Sequence, residues 1–286
     1  MINYFYIIKP RIIVGNLISL IGGFFLASRG TVIWDLLFFS LTGTLFVIAS
    51  ACVFNNVIDI DLDKKMNRTK NRVLPKKLIS VKNACVYGIL LAVIGFNIIY
   101  FYVNHLCFYL IMFAFFIYIF AYTLLTKRYS VYSTFIGSLA GAIPPIIGYC
   151  SVRDKIDLCS LLLYFSLIFW QISHFYSIAL HYLEDYRKSG MPILPVYKNI
   201  KITKIYIILF IIFYIVVNTI LLYFSYVKIQ YFITLAIFSF LWLFLAIYGL
   251  FIHVNLRLWS KNLFIFSLLT ICVNMLLMIT DNFRFL

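Results

Sequence analysis

Residues 36–75 read LLFFSLTGTLFVIASACVFNNVIDIDLDKKMNRTKNRVLP and decide the fold, because a long apolar run ends abruptly in acidic and basic residues. The run from 36 to 57 is long enough to cross the hydrocarbon core of a bilayer, which takes about 20 helical residues. Charged side chains begin only where that run stops. The stretch therefore predicts a membrane-spanning helix that leads into a charged loop.

The rest of the chain has the same apolar character. Of its 286 residues, 64% are hydrophobic and 12% are charged, whereas soluble domains are about half apolar and a quarter charged. This composition excludes an ordinary soluble fold. We expect an all-α polytopic membrane protein with a single domain over residues 1–286, a bundle of about nine helices. Apolar segments place them near 12–28, 36–57, 84–103, 106–126, 131–150, 160–180, 205–224, 230–252 and 263–280.

The chain is strongly basic, with 24 Lys and Arg against 9 Asp and Glu. In a soluble protein this surplus would suggest nucleic acid, but here the basic residues separate apolar runs. We therefore expect a lipid bilayer as partner and no nucleic acid. Most basic residues fall in alternate loops, which predicts a cytoplasmic N-terminus and an outer C-terminus. The first apolar run exceeds a typical signal-peptide core, so we expect it to be a retained helix.

The six cysteines show no paired spacing typical of a metal site. Packing in the apolar interior is the expected role for them. A disulfide between Cys150 and Cys159, which lie close together in the sequence near the outer surface, is the alternative.

An acidic stripe occupies the end of the second predicted helix. Steps of four residues on a helix bring Asn55, Asp59 and Asp63 to one face, while Asp61 points elsewhere. Two carboxylates on one face repel each other unless a cation lies between them. Hard oxygen ligands suit magnesium, which commonly also binds phosphate oxygens of a substrate.

Basic residues follow the acidic stripe at once. Arg68 and Arg72 share the four-residue spacing, and their forked guanidinium groups could bind a diphosphate. The combination predicts a magnesium and diphosphate site at the cytoplasmic membrane boundary. The alternative is a solvated loop that follows the positive-inside rule. That alternative explains the lysines, but it does not explain Asn55 and Asp59 beside a membrane span.

A second polar stripe lies in residues 170–195, WQISHFYSIALHYLEDYRKSGMPILP. If the sixth helix continues past residue 185, one face carries Gln171, His174, His181, Tyr182 and Asp185. Asp185 would then form a second acidic edge of the site. Glu184 and Arg187 are interpreted as an ordinary interfacial pair. Three roles are open for His174: a buried hydrogen-bonding histidine, a proton acceptor, or a ligand to a metal-containing substrate.

An acidic stripe could also belong to a cation channel or a transporter. Such proteins place their ionisable groups near mid-membrane or duplicate them in repeated halves. Here the acidic residues lie at one membrane face beside basic ones. This arrangement favours chemistry on a lipidic diphosphate.

With these motifs in place, the chain resembles the UbiA superfamily of intramembrane prenyltransferases, and within it the branch that acts on heme. The spacing of Asn55, Asp59 and Asp63 points only to the superfamily. The heme branch is indicated by MNRTKNR at 66–72, by GSLAGAIPP at 137–145, and by His174-Phe175 followed by the segment from Pro192 to Pro195. The similarity also covers residues 9–30, 122–149, 173–180 and 190–196.

The resemblance implies that farnesyl diphosphate and heme B are joined, with addition of water and release of diphosphate, to give heme O for a heme-copper terminal oxidase. Magnesium is the implied cofactor. The residues expected to act in catalysis are Asn55, Asp59, Asp63 and Asp185, of which the first three would hold the metal. Expected substrate contacts are Arg68, Arg72, Lys127, His174, Tyr118 and Tyr122, with Phe175 as a further cavity wall.

The chain departs from this branch at Tyr182 and Glu184, where bacterial relatives often carry basic residues. Two other functions remain open at the level of sequence. One is prenylation of a quinone-ring precursor by another enzyme of the same superfamily. The other is a non-enzymatic ion or lipid transporter that uses the acidic stripe for binding.

Overall fold

The computed structural model describes residues 2–252 and 254–283, and within these ranges regular structure is helical, with no strand. Nine of the described helices are long and apolar enough to cross a membrane, which confirms the predicted architecture. We number them α1 (Pro10–Ser28), α2 (Trp34–Ile58), α3 (Val81–Tyr102), α4 (His105–Tyr129), α5 (Ser133–Arg153), α6 (Leu158–His181), α7 (Ile200–Tyr223), α8 (Ile229–Phe251) and α9 (Leu256–Asp281).

The largest difference from the expected bounds is at α9, which begins at Leu256 rather than near 263. A lysine and an arginine in its first turns do not interrupt the helix, because long basic side chains reach the membrane surface while their stems stay in apolar surroundings. The expected outer location of the C-terminus concerns residues 284–286, which lie outside the described residues.

Local sequence sets where several helices begin. Ser80 accepts a hydrogen bond from the backbone N–H of Asn83 at 3.1 Å, and Asn104 accepts one from Cys107 at 2.8 Å. At the start of α6, Asp157 and Ser160 form a reciprocal capping box. Each side chain satisfies an N–H group that the first helical turn leaves without a partner.

Two of the membrane helices are irregular. In α5 the helix is interrupted between Gly141 and Ile143, just before the proline pair that removes two backbone donors. In α4 the segment Ile117–Thr126 is a π-helix, and it leads directly into Lys127. Such wide turns inside α-helices are frequent at functional sites.

Small residues allow α1 and α5 to approach closely. A Cβ atom on Gly23 would lie 2.0 Å from the carbonyl oxygen of Pro145, and one on Gly148 would lie 2.0 Å from that of Leu20. Elsewhere α2 packs along α3, α6 packs against α7 and α9, and α9 returns to α1. At Gly23 and Gly148 the backbones of α1 and α5 therefore pack at distances that only glycine permits, as is common for small residues between membrane helices.

The outer surface of the bundle is apolar, with large side chains such as Phe101, Leu125 and Phe244 more than half exposed. A continuous exposed apolar surface of this kind needs lipid as its solvent. The chain is an integral membrane protein.

The cysteines all lie in the described ranges and all are free thiols, so the disulfide alternative for Cys150 and Cys159 is wrong. Both side chains are buried, and Cys150 donates to the carbonyl oxygen of Lys155 at 3.2 Å. They pack in the interior, as expected for free cysteine.

Candidate active site

The acidic stripe lies where α2 ends and a short helix, Ile60–Lys65, begins. Asp59 is the residue between the two helices. Its N–H donates to the Asn55 carbonyl at 3.0 Å, and its own carbonyl accepts from Asp63 N–H at 2.8 Å. Because the four-residue hydrogen bonds continue through this junction, Asn55, Asp59 and Asp63 stay on one face, as the spacing predicts.

Asn55 connects three parts of the chain. Its carboxamide oxygen accepts from Lys9 Nζ at 2.5 Å. Its Nδ2 donates to Asp59 Oδ2 at 2.9 Å and to Thr123 Oγ1 at 3.2 Å. The side chain is buried, and this network fixes its orientation relative to α4 and to the segment before α1.

Asp59 is the most buried carboxylate of the site, with 1% of the residue exposed. Its Oδ2 forms an ion pair with Lys127 Nζ, which comes from the end of the π-helical segment. Its other oxygen, Oδ1, is buried and has no hydrogen-bond partner among the described residues. A buried oxygen without a partner is costly, and a carboxylate oxygen in that state is suited to accept a cation.

Asp63 is held by the loop that follows it. Arg72 Nη1 lies 2.9 Å from both carboxylate oxygens, and Thr69 Oγ1 donates to the Asp63 carbonyl at 2.9 Å. The Asp63 side chain is 6% exposed and that of Arg72 is 38% exposed. Arg72 is therefore placed at the mouth of the site with part of its guanidinium accessible.

Lys9 is a site residue that the sequence did not reveal, since its charge was interpreted only as a marker of topology. It adopts a left-handed backbone conformation with φ of 56°, immediately before α1. Burial, with the nearby charge of Arg72 as the second cause, lowers the pKa of Lys9 to about 8. Its position directly before Pro10 was the only feature of the local sequence that distinguished Lys9 from the lysines that set topology.

Asp61 points away from this cluster, as predicted. Arg128 donates to its two carboxylate oxygens at 2.7 and 2.8 Å, and these hydrogen bonds lower the pKa of Asp61. Arg128 also donates to the carbonyl oxygen of Ile58 at 2.7 Å, and the pair is partly exposed, with 25% of the Arg128 side chain and 55% of the Asp61 side chain accessible.

Asp185 lies on a short helix, Leu183–Ser189, beyond the end of α6. Its carboxylate accepts hydrogen bonds from the backbone N–H groups of Asn67 at 3.3 Å and Arg68 at 3.2 Å. It thus holds the basic loop in place rather than facing Asp59 directly. Its expected catalytic role stays a prediction.

Arg68 and Arg72 have different neighbours, because residues 66–79 form turns and not the helix that their spacing would need. Arg68 donates to the Tyr186 hydroxyl at 2.7 Å, and its guanidinium carbon lies 4.9 Å from the ring centres of both Tyr182 and Tyr186. Arg72 therefore pairs with the acidic stripe, whereas Arg68 contacts Tyr182 and Tyr186.

Replacing Asp185 by Ala is expected to loosen the basic loop. Two hydrogen bonds to a charged acceptor are lost, and each contributes about 1.5–3 kcal/mol. We expect amide hydrogen exchange at Asn67 and Arg68 to become about 10- to 100-fold faster. The matched control is Glu184→Ala, since Glu184 is exposed and bonds only to Arg187 across one helical turn. Equal exchange rates in the two variants would contradict this role.

The polar face of α6 does not converge on one site. His174 Nδ1 lies 2.7 Å from Ser267 Oγ on α9, and its ring stacks on Trp170 with centroids 4.7 Å apart. Gln171 faces Gly141 of α5 instead, and its buried Oε1 has no hydrogen-bond partner. His174 thus has the surroundings of a buried histidine, and its contact with substrate stays a prediction.

An apolar cavity opens beneath the acidic cluster. Its walls include Asn16, Cys52, Phe115, Tyr118 and Pro144, from four membrane helices. Of the aromatic residues expected as walls, Tyr118 lines this cavity. Tyr122 instead lies beside Lys127, with Nζ 5.7 Å from its ring centre, and Phe175 is 41% exposed.

The arrangement combines a charged, hydrogen-bonded entrance with an apolar interior. Such a site can bind a molecule with an anionic head and an apolar tail, because the cations lie at the entrance and none of the described residues that line the cavity is charged. Residues 16–269 match the sequence profile of the UbiA prenyltransferase family. The chain belongs to the UbiA prenyltransferase family.

Relatives and solved structures extend this assignment. This UbiA family member is 44% identical over 280 residues to a protoheme IX farnesyltransferase of Pectobacterium carotovorum, covering 98% of this chain and 95% of the relative. It is 41% identical over 269 residues to the protoheme IX farnesyltransferase of Acinetobacter baylyi, covering 94% of this chain and 92% of the relative.

Two solved structures share the fold. Digeranylgeranylglyceryl phosphate synthase superposes with a TM-score of 0.81 at 17% identity, covering 99% of this chain and 98% of that one. A UbiA homolog from Archaeoglobus fulgidus, solved with GPP and Mg²⁺, superposes with a TM-score of 0.65 at 15% identity, covering 97% and 99%. The acidic stripe falls inside the family match, whereas Lys9 lies before it.

Proposed function

We propose that this UbiA family member transfers the farnesyl group of farnesyl diphosphate to a vinyl group of heme B, adding water and releasing diphosphate, to give heme O. The relatives named protoheme IX farnesyltransferase support the choice of both substrates, since they match over nearly their full length. The observation that carries the proposal is the buried cluster of Asn55, Asp59 and Lys127 at the mouth of an apolar cavity.

The cations of the site fit a diphosphate. Lys9, Arg72 and Lys127 each contact one residue of the acidic stripe, so three positive charges surround three oxygen-bearing side chains. When diphosphate binds, these donors gain a second anionic partner. They would stabilise the negative charge that grows on the leaving group as the allylic carbon–oxygen bond breaks.

Magnesium is proposed as the cofactor, held by Asn55, Asp59 and Asp63. Among the described residues no group of three His, Cys, Asp or Glu side chains forms a ready metal cage. The fit rests instead on the unpartnered Asp59 Oδ1 and on hard oxygen donors beside a diphosphate site. Magnesium commonly takes only one or two protein carboxylates together with phosphate oxygens. When bound, it would supply Lewis-acid neutralisation of the diphosphate.

The apolar cavity would protect the allylic cation from water until it reacts with the porphyrin. Ionisation leaves an allylic cation, which water would capture if it reached the site. The lining of Cys52, Phe115 and Tyr118 excludes water from the cavity and places aromatic rings beside the prenyl chain. The allylic carbon would then bond to the terminal vinyl carbon of the porphyrin, and water would add to the carbocation left on the neighbouring vinyl carbon and lose a proton.

Location and partners complete the proposal. The protein would lie in the bacterial plasma membrane with its N-terminus and the acidic cluster on the cytoplasmic side, because the basic loops concentrate there. Heme O is a cofactor for a heme-copper terminal oxidase, which is the proposed consumer of the product.

The direct test is incubation of the purified protein with farnesyl diphosphate, heme B and magnesium, followed by mass analysis of the porphyrin. We expect heme O and stoichiometric diphosphate release. Removing divalent metal with EDTA should abolish both, and added Mg²⁺ should restore them. A prenylated quinone precursor formed in preference to heme O would favour the other prenyltransferase function. Lipid or ion flux in liposomes without diphosphate release would indicate a transporter.

A further inference from the structure

The cavity beneath the acidic cluster has a defined depth. Along α2 its lining runs from Cys52, one turn from Asn55, back to Thr44. Along α4 it runs from Tyr118 back to Ile111, and on α5 its far wall is Ile147. Since α2 and α4 run in the same direction, Thr44 and Ile111 lie at the same end of the cavity, farthest from the charged cluster.

The far end of the cavity is closed by tightly packed side chains. Thr44, Ile111 and Ile147 are at most 2% exposed. Behind them, Cys107 donates its thiol to the Ile147 carbonyl at 3.5 Å, and both Cys107 and Ile99 belong to the same fully buried cluster. We call Thr44, Ile111 and Ile147 the cavity floor.

The depth matches a particular length of prenyl chain. Eleven residues separate Thr44 from Asn55 on α2, so the floor lies about 16 Å along the helix axis from the charged cluster, of which about 12 Å, from Thr44 to Cys52, is lined by the cavity. An extended chain of three isoprene units covers a comparable length, whereas a fourth unit would extend into the floor. The cavity encloses about 90 Å³, so binding also requires the half-buried rings of Phe115 and Tyr118 to move aside.

We propose that the cavity floor determines substrate specificity by limiting the prenyl chain to fifteen carbons. Ile111 is the main determinant, because its branched side chain comes from the helix that also carries Tyr118 and Lys127, and so its distance from the charged cluster is fixed. This inference rests on the proposed function, and it adds which residues select the prenyl donor.

The test compares geranyl, farnesyl and geranylgeranyl diphosphates as substrates of Ile111→Ala. Removing the side chain opens space at the floor, so kcat/KM for geranylgeranyl relative to farnesyl diphosphate should rise about 10-fold or more, as for small size changes in apolar pockets. Ile111→Val should give a smaller shift in the same direction. This gentler variant keeps the test valid if the alanine variant folds poorly.

Met112→Ala is the matched control. Met112 is the next residue on α4 and is 45% exposed on the lipid side, so its truncation should leave the chain-length ratio unchanged. Displacement of labelled farnesyl diphosphate by the other two diphosphates, measured without heme, gives a second readout. Relative affinities should follow the same order as the kinetic ratios.

The outcomes separate this inference from the proposed function. Wild-type protein that binds farnesyl diphosphate but forms no heme O would contradict the proposed function, and the displacement assay would still test the floor. If wild-type protein forms heme O and both Ile111 variants keep the wild-type ratio of kcat/KM for geranylgeranyl to farnesyl diphosphate, the proposal that the cavity floor limits chain length is overturned. A shift of the ratio in Met112→Ala equal to that in Ile111→Ala would overturn it as well.

Discussion

Replacing Asp59 by Asn is expected to lower the rate of heme O formation about 10²- to 10³-fold, as does the loss of one preorganised electrostatic group in other active sites. The substitution removes the negative charge but keeps the size of the side chain. It also replaces one of the two carboxylate oxygens by an amide nitrogen, so the oxygen proposed as a metal ligand loses its charge. The measurement is single-turnover formation of heme O in detergent at saturating substrates.

The Asp59→Asn protein is expected to fold and insert. The charge left without a partner is that of Lys127, whose side chain is 18% exposed, so it reaches water at the mouth of the site. A fully enclosed unpaired charge would cost about 3–5 kcal/mol, and partial access to water reduces that cost. Size-exclusion chromatography and helical circular dichroism should match wild type.

Asp61→Asn is the matched control for this prediction. It makes the same chemical change two residues away, on a carboxylate that is 55% exposed and paired with Arg128. Solvated pairs of this kind contribute about 0–1 kcal/mol, so the rate should change less than about fivefold. Equal losses in the two variants would show that charge near the loop matters rather than the position of Asp59.

The membrane helices were predictable from sequence because hydropathy is a local property. Each span is a run of apolar residues whose length the bilayer sets, so nine segments could be found without any tertiary contact. The common face of Asn55, Asp59 and Asp63 was predictable for the same reason. Four-residue spacing determines a face whenever the helical hydrogen bonds continue, as they do through Asp59.

The partners of these residues were not predictable, because they come from distant parts of the chain. Lys9 reaches Asn55 from 46 residues away, and Lys127 reaches Asp59 from 68 residues away. Lys127 was expected at the site only because of the family resemblance, and apart from the adjacent Pro10 no local pattern marks Lys9 as different from the lysines that set topology. The π-helical segment ends directly before Lys127, and hydropathy does not detect a change in helical pitch.

The loop and the sixth helix show where helical periodicity misleads. Arg68 and Arg72 have helical spacing, but the short helix before them ends at Lys65, so the spacing has no geometric meaning there. On α6 the predicted polar face spans about 100° of arc, which is wide enough to meet two neighbours. Gln171 consequently faces α5, whereas His174 faces α9.

Replacing Lys127 by Gln is expected to lower kcat about 10²-fold and to change KM little, since the charge it balances grows mainly as diphosphate leaves. Arg128→Gln, at the next residue, should change kcat less than about fivefold, because Arg128 contacts Asp61 and the carbonyl oxygen of Ile58 rather than the Asp59 carboxylate, and a glutamine amide can still donate to that carbonyl.

A double variant tests whether Lys127 and Asp59 act together. Because the two side chains form one ion pair, the combined Asp59→Asn and Lys127→Gln protein should be no slower than Asp59→Asn alone, whereas independent roles would multiply the two losses. Multiplied losses would show that Lys127 and Asp59 stabilise the diphosphate independently of each other. Equal rates in the double variant and in Asp59→Asn would instead show that the ion pair acts as one unit in holding the leaving group, so that neither residue alone retains part of the function.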